Sequence, residues 1–179
     1  MTRGVNEQID QFVTLFVKWN HSINLSAART PAELREHIDD SLHVVPYLEK
    51  ATRVLDVGSG GGLPVVVAAI ALPEVGFVSL EPVHKKHAFL RTAARELGLV
   101  NLEAFALRLE DHDVSDYDVA MSRATFDLKE WLDLGAARVR PGGQVIGFEA
   151  VPRHDLGDVM RHPYTIAGKQ RSLVIRTRS

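Results

Sequence analysis

The sequence contains no cysteine. Disulfide bonds, thiolate metal sites and a cysteine nucleophile are therefore excluded. The longest mainly apolar run, residues 63–72, contains a proline and is too short to cross a bilayer. No basic segment followed by an apolar stretch opens the sequence, so no secretory signal is expected. These absences predict a cytoplasmic protein without a membrane partner.

A large excess of positive charge is also missing. The chain carries 21 Lys and Arg against 23 Asp and Glu, a formal net charge of −2, which argues mildly against a nucleic-acid-binding protein. The distribution is uneven, because residues 152–179 hold six basic residues against two acidic ones, and "HKKHAFLRTAAR" (84–95) is a second basic cluster. Such clusters are usually solvated faces, but they also suit RNA phosphates. No pair among the eight histidines stands at metal-ligand spacing, so no metal is predicted.

Two amphipathic helices are predicted before residue 50. The length of 179 residues suits one domain with a small appended piece. Apolar residues in 5–17 fall on one helical face. The second helix begins at "TPAE", where the threonine can cap, the proline suits the first turn and the glutamate completes a capping box. Its apolar stripe extends over 34–48.

Beyond residue 52, apolar runs typical of strands alternate with helical segments. The predicted strands are 53–57, 77–81, 101–107, 117–122, 143–151 and 172–177. The predicted helices are 63–72, 84–97 stopped by Gly98, and about 127–139 halted by "PGG". Strands separated by helices imply right-handed crossovers and a mostly parallel sheet. The sequence therefore predicts an α/β, doubly wound fold, divided into an N-terminal helical segment, 1–50, and an α/β domain, 51–179.

The stretch "DVGSGGGLP" (56–64) lies between the first predicted strand of the sheet and its helix. Gly58, Gly60 and Gly62 would let the loop backbone approach a ligand closely. A dinucleotide fingerprint, G-x-G-x-x-G, would need a third glycine where Leu63 stands, and a phosphate-binding loop would need a following G-K-[ST]. Neither is present. The pattern is instead D-x-G-x-G-x-G, at the strand end where doubly wound sheets bind ligands.

A tight loop that opens with a carboxylate suits a cationic ligand without phosphates, and S-adenosylmethionine is such a ligand. Asp56 can pair with its amino group, directly or through water. Glu81, at the end of the second predicted strand, can accept hydrogen bonds from both ribose hydroxyls. "RLED" (108–111) follows the third strand, so the backbone of Leu109 and the carboxylate of Glu110 are candidates for contact with the adenine.

Several short motifs, in this order along the chain, resemble the RsmG family, also called GidB. They are "FVKWNHSINLSA", "HIDDSL", "VLDVGSGGGLP", "KKHAFL", "RLED" and "SRA". The resemblance implies a class I, Rossmann-like methyltransferase that uses S-adenosylmethionine to make 7-methylguanosine in 16S (small-subunit) ribosomal RNA. It also implies that the last strand, in "RSLVIRT", runs antiparallel to the others.

The family's cofactor contacts carry over to Gly58, Leu63, Leu109, Glu110 and Arg123 of "SRA". Arg123 follows the fourth predicted strand, where its planar guanidinium can hold the carboxylate of the cofactor or an RNA phosphate. The alternative for Arg123 is a structural salt bridge.

Three positions depart from the residues that the family usually has. Val65 replaces a glycine after the proline of the loop, and Leu63 replaces an aromatic residue. Glu149, in "GFEAV", stands where a lysine is common. The last difference reverses the sign of a charge near the expected substrate mouth.

Methylation of guanine N7 needs no general base, because N7 carries no proton in neutral guanine. The enzyme has to align donor and acceptor and to tolerate a product that gains positive charge. We therefore assign no catalytic residue. Lys85 and Lys86 are candidates for steering RNA phosphates.

The second helix carries two polar residues, His37 and Ser41, inside its apolar stripe. Inward-facing polar side chains must find partners. They either tie the helix to the rest of the protein or, together with Asn20 and Asn24, shape the guanine site.

The main hypothesis is an enzyme that methylates guanine N7 in small-subunit rRNA, either naked or in an assembled subunit, and that acts as a monomer. Two alternatives remain open from the sequence. One is a class I methyltransferase with a different substrate. The other is a non-catalytic paralogue that binds S-adenosylmethionine or RNA, which is suggested by Glu149 and the acidic net charge.

Overall fold

The computed structural model describes residues 4–179 and contains a seven-stranded sheet. The strands are β1 (Arg53–Val57), β2 (Gly76–Leu80), β3 (Leu102–Phe105), β4 (Tyr117–Ser122), β5 (Val139–Glu149), β6 (Met160–Ile166) and β7 (Lys169–Thr177). Their order across the sheet is β3-β2-β1-β4-β5-β7-β6. Strands β1 to β5 are parallel, and β7 is antiparallel to both β5 and β6. The predicted doubly wound α/β fold and the antiparallel last strand are confirmed.

Helices cover both faces of this sheet. They are α1 (Val5–Ile23), α2 (Pro31–Leu42), α3 (Val65–Ala71), α4 (His84–Leu97) and α5 (Leu128–Ala136). The first four helices share one buried apolar cluster on one face of the sheet, whereas α5 packs on the opposite face. At the centre of the larger cluster, the rings of Phe12 and Phe16 in α1 pack on Phe89 in α4, with ring centroids 6.2 and 5.7 Å away.

The second helix is shorter than its apolar stripe predicts. It starts with the predicted capping box of Thr30 and Glu33, but it ends at Leu42, followed by a 3₁₀ turn at Val45–Tyr47. Pro46 lies in that turn. A proline has no backbone N–H and clashes with the carbonyl four residues earlier, so the α-helix cannot continue through it. The prediction of one helix over 34–48 is therefore wrong at its carboxyl end.

Two strand predictions also need correction. Strand β6 was not predicted, because its alternating exposed and half-buried residues lack an apolar face and include Pro163. It lies at the sheet edge, the position where a strand tolerates proline. The "PGG" stretch does not halt α5, which ends at Ala136; it lies within β5, beside an irregularity in the pairing with β4.

The described residues contain no helix that is both long and apolar enough to span a bilayer. Within 4–179, no three His, Asp or Glu side chains gather in a way that could hold a metal ion.

Candidate cofactor and substrate cleft

A cleft opens at the carboxyl ends of β1 and β4, where the strand order of the sheet reverses. This is the place where open α/β sheets bind ligands. Two cavities form the cleft, one of about 290 Å³ toward β2 and β3 and one of about 250 Å³ toward the first two helices. Gly58 and Thr125 line both of them. The glycine loop therefore forms the floor at the point where the two cavities meet.

Gly58 needs to be a glycine for two reasons. Its φ of 71° lies in the left-handed region, which residues other than glycine rarely adopt. A Cβ atom added to it would lie 2.8 Å from Cβ of Thr125 and closer still to the two atoms beyond. Thr125 follows β4 and donates a hydrogen bond from Oγ1 to the carbonyl of Gly58, at 3.0 Å. The side chain of Thr125 thus occupies the space directly above Gly58, at the edge of the cleft.

The neighbouring glycine, Gly61, allows α1 to approach the loop. A Cβ atom at this position would lie 2.5 Å from Cε2 of Phe16. Phe16 is buried in α1 and also lines the 250 Å³ cavity. Leu63 lines the same cavity, whereas Gly62 packs on Val66 of α3. The first helix therefore contributes directly to the wall of the cleft.

Asp56 lies beneath the loop and is 1% exposed. In the described part of the chain, neither oxygen of its carboxylate has a hydrogen-bond partner. Burial raises the pKa of Asp56 to about 7 because the charged form loses its hydration. Ser59 and Ser79 are buried nearby and hydrogen-bond to each other at 2.6 Å. An unpaired buried carboxylate next to a cleft is an acceptor that a cationic group or a bridging water would satisfy.

Glu81 stabilises the loop in this structure. One carboxylate oxygen accepts a hydrogen bond from the backbone N–H of Gly60 at 2.8 Å, and the other accepts from Val83 at 3.1 Å. A carboxylate offers about four acceptor positions, so two remain. The residue is 4% exposed and lies at the end of β2, as predicted.

Leu109 and Glu110, for which the sequence predicts contact with the adenine, line the 290 Å³ cavity together with Gly58. Leu109 is buried and Glu110 is exposed. Leu80 and Phe126 supply apolar surface to the same cavity. A cavity of this size with apolar side chains on its walls suits an aromatic ring system.

On the other side of the cleft, Arg123 forms a salt bridge with Asp40 of α2. Its Nε lies 3.0 Å from Oδ2 of Asp40, and both side chains are largely buried, at 19% and 12% exposure. The second oxygen of Asp40 accepts a hydrogen bond from the hydroxyl of Tyr164 in β6, at 2.7 Å. Arg123 therefore makes the structural salt bridge that the sequence left open as an alternative, and it also lines the 250 Å³ cavity.

His37 lies next to this salt bridge and also lines the cavity. Nη2 of Arg123 is 3.0 Å from Nδ1 of His37. Since a guanidinium can only donate, Nδ1 accepts, and the ring proton lies on Nε2. Burial and the charge of Arg123 lower the pKa of His37, which favours the neutral form of the ring. Ser41, in contrast, donates to the carbonyl of His37 within its own helix, at 2.7 Å.

Asn20 and Asn24 line a separate cavity of about 380 Å³ at the connection between α1 and α2. The Asn20 side chain donates to the carbonyl of Ala28 at 2.8 Å and accepts from the N–H of Ser26 at 3.1 Å. Asn24 ends α1 in the left-handed conformation. The first asparagine thus fixes the interhelical loop, and this cavity shares Phe16 with the cleft.

The two lysines of the basic cluster differ in position. Lys86 lines the 250 Å³ cavity, and Lys85 is exposed on the first turn of α4. Glu149 is buried, and its carboxylate accepts hydrogen bonds from Arg161, at 3.0 and 3.2 Å, and from the N–H of Arg153. Its charge is neutralised inside the protein. The expected charge reversal at the substrate mouth is not seen.

Sequence reasoning missed three contributors to the site. Thr125 follows "SRA" immediately, which was the available signal. Tyr164 lies on a strand that was not predicted. Asp40 was not assigned to the site, although it borders the apolar stripe of α2.

Comparison of the sequence with known proteins finds a matching family and named relatives. A protein-family model described as GidB, rRNA small subunit methyltransferase G, matches residues 5–169. A relative named "Ribosomal RNA small subunit methyltransferase G" from Azoarcus sp. (strain BH72) is 40% identical over 146 residues, which cover 80% of this chain and 69% of the relative. A protein of the same name from Aromatoleum aromaticum is 36% identical over 195 residues, covering 100% of this chain and 92% of the relative.

Among solved structures, the O-methyltransferase TomG from Streptomyces achromogenes, in complex with SAM, superposes with a TM-score of 0.67. The match covers 95% of this chain and 91% of TomG, at 17% identity. At that identity the likeness concerns the fold alone, and it agrees with the class I methyltransferase fold that was predicted.

Proposed function

Because the chain belongs to the GidB family of rRNA small subunit methyltransferases, we propose that it transfers a methyl group from S-adenosylmethionine to N7 of a guanine in small-subunit ribosomal RNA. The observation that carries this proposal is the cleft, whose two cavities meet over Gly58. One cavity suits the adenosine of the cofactor. The other suits its amino-acid part and the incoming base.

The residues present fit this cofactor. Leu109 and Glu110 are proposed to hold the adenine, and Glu81 the ribose, through its remaining acceptor positions. The backbone around Gly58, Gly60 and Gly62, with Leu63 beside it, is proposed to hold the amino-acid part. Asp56 is proposed to accept from the ammonium group through a buried water, since its carboxylate lies beneath the loop without a protein partner. When bound, the cofactor supplies an electrophilic methyl group on a sulfonium.

The remaining task for the protein is to present the guanine. N7 needs no general base, so positioning and electrostatics carry the reaction. We propose that the Nε2–H of His37 donates to O6 of the guanine, because its other ring nitrogen already accepts from Arg123. Arg123 and Lys86 line the same cavity and are proposed to hold an RNA phosphate beside the base. Lys85 would steer RNA from further out.

We expect the affinity for S-adenosylmethionine to rise roughly five- to tenfold between pH 6 and pH 7.5. Burial raises the pKa of Asp56 to about 7, so its carboxyl is mostly neutral at pH 6 and ionises across this window. Only the ionised form attracts the ammonium group. Titration calorimetry at several pH values measures the affinity.

An Asp56→Asn variant should bind the cofactor more weakly and without this pH dependence. An Asp116→Asn variant, which neutralises an exposed acid near the start of β4, should keep the wild-type profile. If Asp56→Asn retains the full pH dependence, Asp56 is not the group responsible.

The function itself is tested by incubating the protein with labelled S-adenosylmethionine and either protein-free small-subunit rRNA or intact small subunits. We expect label in the rRNA, recovered as 7-methylguanosine by mass spectrometry of the digested RNA. Label in another nucleoside, or in no RNA despite cofactor binding, would refute the assignment of substrate. The two forms of substrate also show whether naked RNA or the particle is preferred.

We further propose that the enzyme works in the cytoplasm as a monomer. The proposed substrate, a ribosomal RNA, is the ground for the location, and the stoichiometry is left to measurement. Light scattering with the rRNA substrate bound measures the stoichiometry.

A further inference from the structure

Besides the cleft, a groove of about 160 Å³ lies between α2 and the turn that joins β6 to β7. Its lining includes His37, Asp40, Arg123, Lys169 and Arg171. His37 and Arg123 also line the cleft. The groove is therefore a continuation of the cleft, beyond the salt bridge of Arg123.

The charge of this groove is positive at its outer rim. Asp40 is already paired with Arg123 and Tyr164. Within residues 4–179, the ammonium group of Lys169 makes no hydrogen bond and no ion pair. Arg171 donates to two backbone carbonyls, at 3.3 and 3.4 Å, and it has no carboxylate partner among the residues that the structure describes. Glu36, exposed on α2, is the acidic residue that remains on the lining.

The turn that carries Lys169 is held in place. Ala167 and Gly168 both have positive φ, 48° and 74°, and Ile166 pairs directly with Lys169. Such a two-residue turn matches the twist of its strands. The strand before it is fixed to α2 through Tyr164, which hydrogen-bonds to Asp40 and stacks on His43 with ring centroids 4.0 Å apart. These contacts hold the two sides of the groove in fixed positions.

We propose that this groove binds the sugar-phosphate backbone of single-stranded RNA next to the target guanine. Lys169 and Arg171 contact phosphates at the rim, and the base passes Arg123 and His37 into the cleft. A single strand is favoured for two reasons. The groove is narrow, and a base has to leave its stack to enter a cleft where an enzyme modifies it. The inference rests on the proposed function and adds the RNA path to it.

The test compares charge reversals at the rim with matched reversals elsewhere. The rim variant is Lys169→Glu/Arg171→Glu. The control is Lys18→Glu/Arg95→Glu, which makes the same change in net charge on exposed residues of α1 and α4. Fluorescence anisotropy with a short labelled single-stranded fragment of small-subunit rRNA measures RNA affinity, and calorimetry measures binding of S-adenosylmethionine.

We expect the rim variant to lose tenfold or more in RNA affinity at about 0.1 M salt, with cofactor affinity unchanged. Because each phosphate contact in a single strand contributes a slope of about −0.7, the dependence of log affinity on log salt should become shallower by roughly 1.4. A Lys169→Gln/Arg171→Gln variant should show the same change in slope with a smaller loss. The control variant should bind RNA as the wild type does.

Equal RNA affinity and salt slope in the rim variant and the control would overturn the groove proposal while leaving the proposed function intact. Wild-type protein that binds an isolated small-subunit protein but not RNA would overturn it as well. If the wild type binds this RNA through Lys169 and Arg171 but transfers no methyl group to any small-subunit substrate, the groove is supported and the proposed function fails.

Discussion

A Gly58→Val variant should lose more than 100-fold in affinity for S-adenosylmethionine while remaining folded. Valine is poorly accommodated at the φ of 71°, and a left-handed conformation costs such a residue on the order of 1–2 kcal/mol. Its Cβ would also lie 2.8 Å from Cβ of Thr125. The segment after β4 would then have to move, and with it the wall shared by both cavities. Titration calorimetry measures the affinity, and circular dichroism reports the fold.

The matched control is Gly157→Val. Gly157 has nearly the same φ, 73°, but a Cβ atom there meets nothing within 4 Å. This variant therefore carries the backbone strain without the collision, and it should bind the cofactor as the wild type does. Should Gly58→Val bind with unchanged affinity, the assignment of the loop as the cofactor site would be wrong.

An Asp40→Ala variant should lower the free energy of unfolding by about 3–5 kcal/mol. Removing one partner of a largely buried salt bridge leaves the other charge uncompensated. Here it would leave the guanidinium of Arg123 and the hydroxyl of Tyr164 without their common acceptor. Urea unfolding measures the change.

Two variants separate the structural role of Arg123 from its proposed role toward RNA. An Asp40→Leu/Arg123→Met variant replaces the pair by apolar groups of similar size, which is often neutral or stabilising. Most of the lost stability should therefore recover, and the part that remains lost belongs to the hydroxyl of Tyr164, which still lacks its acceptor. Methyl transfer should not recover, because Arg123 is gone. Full activity in this double variant would show that Arg123 only supports the fold.

The comparison pair for this experiment is Arg35 and Asp10, an exposed salt bridge whose side chains are 50% and 65% exposed. Asp10→Ala should cost no more than about 1 kcal/mol, because solvent screens exposed pairs. A cost at Asp10 as large as that at Asp40 would contradict the role of burial in this argument.

Local patterns in the sequence predicted much of the central sheet and the glycine loop. The alternation of apolar runs and the D-x-G-x-G-x-G spacing each depend on neighbours a few residues apart. The helix over 84–97 and its stop at Gly98 were confirmed for the same reason. Family membership, predicted from short motifs, was confirmed as well.

Features that depend on distant contacts could not be predicted. Asp40 and Tyr164 are 124 residues apart in the chain, and no local pattern links them. The partner of Glu149 is Arg161 on β6, an edge strand whose polar alternation conceals it. Ser41 is the opposite case, because its inward direction follows from helical periodicity and its partner, the carbonyl of His37, lies only one turn earlier in the same helix.

The packing of Phe16 on Gly61 has a consequence for how such a protein can diverge. The ring occupies the space that any side chain at 61 would need. A mutation that reshapes the helix around Phe16 for a new substrate therefore also alters the support of the cofactor loop. Changes in substrate preference at this helix are accordingly tied to compensating changes in the loop, so that the two positions must evolve together.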